Sequence, residues 1–278
     1  MQKKIIIFGA GYHGRNALRV CARNKKYKVI YFVDNNSKIH GRKILNTKIL
    51  SPAKLKSINF DKIIVCGRFI PSIVFQLNNL NINKSKLLLW GKKEIKLQKR
   101  ELNLRSKDCV KSLKEIMQIF NLYQLKFWID LGSLLALIRK QDLAESSDID
   151  LVMNYNDLDK IKKICDLIKK KNKKFIVKKE NSYYSKLLKK KIPKYVLIKK
   201  TNNTNYEPAT FELNIFVKKN NNFENLAKKK LFTKNIWSKT HYVRYKKLYL
   251  PVTYCSNTYL SKLYGKDWKI KKNFFNKL

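Results

Sequence analysis

Trp128-Ile129-Asp130-Leu131-Gly132-Ser133, followed about fourteen residues later by Asp148-Ile149-Asp150-Leu151, decides how the rest of the chain is read. The first stretch has the form of a strand that runs into a Gly-Ser turn and opens a helix, a place where backbone N–H groups and a hydroxyl can meet a phosphate. In the second, strand alternation sends Asp148 and Asp150 to one face and Ile149 and Leu151 to the other. Two carboxylates that close repel one another unless a cation lies between them. Magnesium (or manganese), an oxygen-seeking ion that keeps positions for substrate phosphate, suits that gap. A third acid from a neighbouring strand would complete the set. Glu212, in the alternating run from Phe211 to Val217, is the candidate, and Asn214 shares its face.

A lone Asp-x-Asp is common on surfaces, and Gly-Ser alone carries little. Ordered as strand, Gly-Ser, helix and strand-borne Asp-x-Asp, the combination is far more specific and predicts metal-assisted phosphoryl or nucleotidyl transfer. Gly132 would let the backbone approach, Ser133 would donate a hydrogen bond to the phosphate, and Arg139 would reach a diphosphate from two turns along the helix. Glu212 or Asp150 would take the proton from an attacking sugar hydroxyl. Asp130 is either catalytic or, as is commoner, a partner for a loop amide, and Asp142 reads as a solvated loop residue.

Outward from this centre, Val110, Leu113, Ile116, Met117 and Phe120 recur at helical steps. Phe127 to Leu131 and Ile149 to Met153 are expected as strands. Ser133 to Arg139 and Leu158 to Lys169 are expected as helices, and Tyr259 to Tyr264 as a short helix stopped by Gly265. Before them, short β-branched runs ending at Phe8, Val33, Cys66 and Trp90 alternate with helix-like segments, which predicts a small parallel sheet of about four strands. Its first strand runs into Gly9-Ala10-Gly11-Tyr12-His13-Gly14, and the second ends in Asp34. Glycines 9, 11 and 14 would admit a diphosphate to the helix start, and Asp34 could accept from a ribose. A nucleotide or nucleotide-sugar is the ligand this module would take, although such units also serve as scaffolds. The expected division is therefore 1–92 for this module, 93–107 for a charged linker, helical rather than floppy, and 108–278 for the second domain.

A formal charge of +44 suits attraction to anionic lipid, phosphate-bearing substrates or nucleic acid. Heavy use of Lys, Asn and Ile is also what an AT-biased genome produces without selection for binding. The basic residues are spread throughout rather than gathered in one stripe with stacking aromatics, which argues against nucleic acid as a partner. Five scattered cysteines with no Cys-x-x-Cys pair suit a reducing cytoplasm and give no zinc ligand set. No run approaches the roughly eighteen apolar residues of a membrane span, so any membrane contact would be peripheral, at the inner face.

Residues Phe127 to Met153 (FWIDLGSLLALIRKQDLAESSDIDLVM) resemble the core of the LicD family, relatives of fukutin within the DNA polymerase beta-like nucleotidyltransferase superfamily. The tail agrees: Leu250-Pro251-Val252, then Tyr259-Leu260 and Tyr264-Gly265-Lys266-Asp267-Trp268, is similar to that family's closing motif. The likeness covers roughly Lys107 to Lys272. It implies transfer of a phospho-substituent, such as phosphocholine or a phospho-alditol, from a CDP-activated donor to a hydroxyl of a bacterial surface glycan or its lipid-linked precursor. Gly132 and Ser133 match the family's phosphate loop, Arg139 its helix arginine, and Asp148 and Asp150 its metal pair. Three departures stand out. Ala144-Glu145-Ser146-Ser147 replaces an acidic and aromatic run, Asn214 stands where a third aspartate precedes Ile-Phe, and a proline after the Tyr-Gly motif is missing. The stretch from Ile5 to Asn36, with His13 in its loop and Gly41 and Cys66-Gly67 beyond it, resembles the front domain of PglD-like sugar acyltransferases.

The fold class expected is thus α/β plus α+β: a small N-terminal Rossmann-like parallel sheet followed by a nucleotidyltransferase-fold (polymerase beta-like) domain. Two other functions stand beside the transferase. One is a nucleic-acid-binding nucleotidyltransferase. The other is a non-catalytic nucleotide-binding scaffold of a glycan-assembly complex, a reading that Asn214 keeps open.

Overall fold

The computed structural model describes residues 1–67, 69–91, 93–201, 205–233 and 236–270. Internal contacts divide the chain into two units at Glu101/Leu102, with 205–207 grouped with the first.

The first unit contains β1 (Lys3–Phe8), α1 (Tyr12–Arg23), β2 (Tyr27–Val33), β3 (Lys43–Ile44), β4 (Thr47–Leu50), β5 (Lys62–Cys66), α2 (Ile70–Asn79) and β6 (Leu87–Trp90). They form one sheet in the order β3-β4-β2-β1-β5-β6. All pairs are parallel except β3 with β4. A parallel sheet buried on both faces needs continuous apolar strands, which is why β1 reads Ile-Ile-Ile-Phe. Ile5 and Ile7 pack with Ala17 and Phe32, while Ile6 and Phe8 pack with Val33 and Ile73 in a separate cluster. The four strands expected from the sequence are present. The added β3–β4 hairpin turns through Leu45 and Asn46, both at positive φ. That backbone usually selects glycine at the second position, so the turn has no glycine signal.

The second unit contains most of α3 (Lys99–Leu122), then β7 (Trp128–Ile129), α4 (Leu131–Ile138), β8 (Ile149–Asn154), α5 (Leu158–Lys171), β9 (Phe175–Ser185), β10 (Lys190–Lys199), β11 (Thr210–Lys219), β12 (Asn222–Asn225), β13 (Lys230–Phe232), β14 (Thr240–Tyr245), β15 (Leu248–Thr253) and α6 (Ser256–Tyr264). Residues 99–107, expected within a linker, belong to one continuous helix with the amphipathic stretch that follows. β11 is the hub of the sheet. β8 runs parallel to it on one side, with β7 antiparallel beyond. On the other side, β10 and β9 flank its first half and β12 and β13 its second. The parallel pairing sets Glu212 opposite Asp150 and Asn214 opposite Val152. One apolar core built from α3, α4, α5, α6 and the sheet lies behind these residues. Among the described residues no helix is long and apolar enough to cross a membrane.

Candidate active site

The turn from β7 into α4 brings the two sequence motifs together. Asp130 N donates to Asp150 O at 3.0 Å. Leu131 then takes a left-handed conformation at φ +47, which costs a branched side chain on the order of 1–3 kcal/mol and lets the helix start directly beneath β8. A Cβ on Gly132 would lie 3.5 Å from Asp150 Oδ2, so the backbone there sits against the carboxylate. Ser133 is buried, and its hydroxyl accepts from Asp150 N at 2.8 Å. Ser133 thus fixes the backbone of Asp150 through an acceptor lone pair, which leaves the hydroxyl's own proton as a donor.

Asp148, Asp150 and Glu212 bring carboxylate oxygens within 4.8 Å of one another. Asp150 is 8% exposed. Burial first, then the charges of Asp148, Glu212 and Asp130, push its carboxyl well above the usual range, against a backbone hydrogen bond from Ser133. Burial and the Asp148 charge also raise Glu212, while Lys194 pulls it down. Three oxygen donors that repel one another in a partly dry setting fit a hard divalent cation such as magnesium or manganese, and the absence of sulfur and imidazole fits zinc poorly.

Asn214 is fully buried. Its Nδ2 donates to Asp150 Oδ1 at 3.3 Å, and its Oδ1 accepts from Tyr183 Oη at 3.2 Å. It orients Asp150 as an amide where a fourth carboxylate would add repulsion. Lys194 Nζ lies 2.8 Å from Glu212 Oε2 and 3.3 Å from Glu180 Oε2. Burial would lower this ammonium, but the Glu212 hydrogen bond and charge outweigh it and hold Lys194 above the ordinary lysine value.

Behind the trio, Asp130 is fully buried. Its Oδ2 accepts from Asn225 Nδ2 at 2.8 Å, and the same amide lies 2.8 Å from Tyr259 Oη. Burial raises the Asp130 carboxyl from 3.8 to about 6, opposed by hydrogen bonds from Tyr259, the Leu131 backbone and Asn225. Asp130 is thus tied to side chains on two distant elements, Asn225 of β12 and Tyr259 of α6. Trp237, stacked on Phe216 at 4.3 Å and edge-on to Tyr259 at 5.6 Å, holds the α6 end of this network.

The loop that delivers Asp148 is clamped from α3. Arg105, buried, donates to the carbonyls of Ala144, Ser146 (2.7 Å) and Ser147 (3.4 Å). Asp142, expected as solvated, accepts instead from Ala144 N at 2.9 Å, Ser106 Oγ at 2.9 Å, Tyr245 Oη at 2.6 Å and Lys246 Nζ at 2.7 Å. These contacts hold its carboxyl below the usual range despite burial. Arg139 caps the far end of α4 and donates to the carbonyls of Trp268 and Ile270. That is the structural use of the closing motif: Trp268 is buried and its backbone is tied to the helix that starts at the site.

In the N-terminal unit, Gly9 has φ +101, and a Cβ on Gly14 would meet Gly9 O at 1.8 Å, so neither position tolerates a side chain. A Cβ on Gly11 would meet nothing within 4 Å. Asp34 accepts from Ala10 N at 2.7 Å through one carboxylate oxygen and from Asn36 N at 2.8 Å through the other, so both oxygens already brace the turn.

Residues 124–259 match the family model described as LicD/FKTN/FKRP, nucleotidyltransferase domain. The second unit carries a LicD domain. Residues 1–88 match C2185-like, N-terminal. No curated protein matches the chain. Among solved structures, UDP-D-quinovosamine 4-dehydrogenase from Vibrio fischeri is 20% identical over 30% of this chain and 73% of its own, with a TM-score of 0.27. RSP, a Rex-family repressor, is 15% identical over 41% of this chain and 64% of its own, with a TM-score of 0.28. A myo-inositol dehydrogenase from Corynebacterium glutamicum ATCC 13032 is 10% identical over 97% and 86%, with a TM-score of 0.27. At those scores none bears on fold or activity.

The LicD domain thus gathers Asp148, Asp150, Glu212, Asn214, Gly132 and Ser133 in one place and leaves Arg139 on the tail. Sequence reading missed Lys194, Tyr183, Arg105 and Asn225. The first two sit in a lysine- and tyrosine-rich hairpin with no motif. Arg105 carried one usable signal: only nine of the 63 basic residues are arginine, so each arginine marks a geometry lysine does not supply.

Proposed function

We propose that this protein transfers a phospho-substituent, of the phosphocholine or phospho-alditol type, from a CDP-activated donor to a hydroxyl of a bacterial surface glycan or its lipid-linked precursor. One observation carries the reading: three carboxylates converge within 4.8 Å inside a LicD domain, two of them raised by burial and then by one another's charge. Asp148, Asp150 and Glu212 would hold magnesium or manganese, which when bound supplies positive charge against the phosphoryl oxygens.

The chain's own residues then have distinct tasks. The acceptor oxygen attacks the phosphorus distal to cytidine, the bond from that phosphorus to the bridging oxygen breaks, and CMP leaves. The hydroxyl proton passes to a carboxylate of the trio, Glu212 or Asp150. Gly132 keeps the backbone small beside the reacting phosphate, and Ser133 and Asn214 hold Asp150 at its angle. The basic chain would draw the enzyme to anionic lipid or to a lipid-phosphate acceptor. The N-terminal unit would bind a nucleotide or nucleotide-sugar at the turn of Gly9, Gly11 and Gly14.

The test is magnesium-dependent CMP release from a panel of CDP-alcohols and CDP-alditols with glycan acceptor. Asp148→Asn should reduce turnover by about a hundred- to a thousandfold, the loss expected when a group that supports transition-state charge is removed. Full turnover in that variant rejects the reading.

A further inference from the structure

The β9–β10 hairpin puts a cation against the acidic trio. Lys194 is only 11% exposed at its side chain, and its Nζ is shared between Glu212 Oε2 at 2.8 Å and the more exposed Glu180 at 3.3 Å. Its ammonium lies 5.8 Å from the ring centroid of Tyr183, the residue that bonds Asn214 and through it Asp150. The hairpin therefore touches two of the three carboxylates, one by charge and one through a hydrogen-bond relay.

Charge counting gives this arrangement a purpose. Three carboxylates carry −3, and a divalent cation brings them to −1, a field that still repels an anionic diphosphate. Adding Lys194 offsets that remaining charge on the trio, with Glu180 and Asp130 lying outside the count. A lysine ammonium is a compact point charge on a flexible stem, suited to a phosphate oxygen, and it can leave a carboxylate that has found a stronger partner. A divalent cation bound by Glu212 is such a partner.

Resting on the transferase reading above, we infer that Lys194 is a phosphate-binding residue of the site, held by Glu212 until a divalent cation takes that carboxylate and then turned to a non-bridging oxygen of the donor's diphosphate. Lys194 and the cation thus compete for Glu212 but cooperate on the diphosphate.

Calorimetric titration of the full chain with Mn2+, and then with CDP at saturating Mn2+, tests this. Lys194→Met should bind Mn2+ about tenfold more tightly, because a positive charge has left the trio. It should bind CDP about tenfold more weakly, because a charge-assisted contact is gone, and Lys194→Arg should restore CDP binding. Glu212→Gln should show the converse, with Mn2+ weakened and metal-free CDP binding strengthened by a released Lys194. This variant keeps the test decisive if Lys194→Met does not fold. Parallel loss of both affinities in Lys194→Met, or no change in either, overturns the role of Lys194 while wild-type binding of Mn2+ and CDP leaves the transferase reading standing. No Mn2+ binding by the wild type overturns that reading itself.

Discussion

Replacing Asp130 by asparagine should make the LicD domain more stable at neutral pH, against the usual expectation for a buried residue in a hydrogen-bond network. The native carboxyl titrates at about 6 where an ordinary one titrates at 3.8, so folding holds its proton more tightly than the unfolded chain does. The associated stability is fully present below the lower value and is lost as pH rises through the higher one. At neutral pH the ionised form costs about 3 kcal/mol, taking 1.36 kcal/mol for each unit. An asparagine side chain in its place keeps an oxygen to accept from Asn225 and carries no charge at any pH, so it escapes that cost. Melting without added metal, followed by tryptophan fluorescence from the buried Trp128 and Trp237, reads the effect. Near pH 4 the two proteins should melt close together. Near pH 7.5 the variant should lie about 6–12 °C higher, at about 2–4 °C for each kcal/mol in a domain of this size. A gap between the two that does not change with pH would refute the claim that Asp130 is charged in a dry environment.

Arg105→Met should lower stability by roughly 2–4 kcal/mol in urea unfolding, because buried carbonyls of the loop lose their donor. Arg105→Lys should not rescue it, since one ammonium cannot reproduce the guanidinium fork. Asn214→Asp puts a fourth carboxylate on Asp150. It should destabilise the metal-free protein by about 1–3 kcal/mol and tighten Mn2+ binding in the same titration, with weaker Mn2+ binding as the contrary result. Gly14→Ala forces a methyl onto the Gly9 carbonyl and should cost the N-terminal unit about 2 kcal/mol or more, seen as faster amide exchange in β1 and α1.

Where local rules govern, sequence and structure agree. Period-two alternation in β11 put Glu212 and Asn214 on one face, parallel pairing set Glu212 opposite Asp150 of β8, and Asp148 joins them from the loop that immediately precedes β8. Glycine spacing marked the Gly9–Gly14 turn because a side chain there collides with backbone. The unread features come from distant contacts. Asp142 looked like a loop acid because Tyr245 and Lys246 lie about a hundred residues away, and Asn225 meets Asp130 across 95 positions. Lys194 was hidden for a different reason: in a chain with 63 basic residues, one lysine that faces two acids looks like every other. The end of β7 at Ile129 and the early start of α4 were also illegible, because a left-handed leucine at 131 breaks the local rule and persists only through packing.

Anomalous diffraction from crystals grown with Mn2+ and CDP would test the account most directly. One manganese peak is expected at coordination distance from Asp148, Asp150 and Glu212, with Lys194 turned from Glu212 to the diphosphate. Manganese elsewhere, or a trio still closed by Lys194 with no peak between its carboxylates, would contradict it.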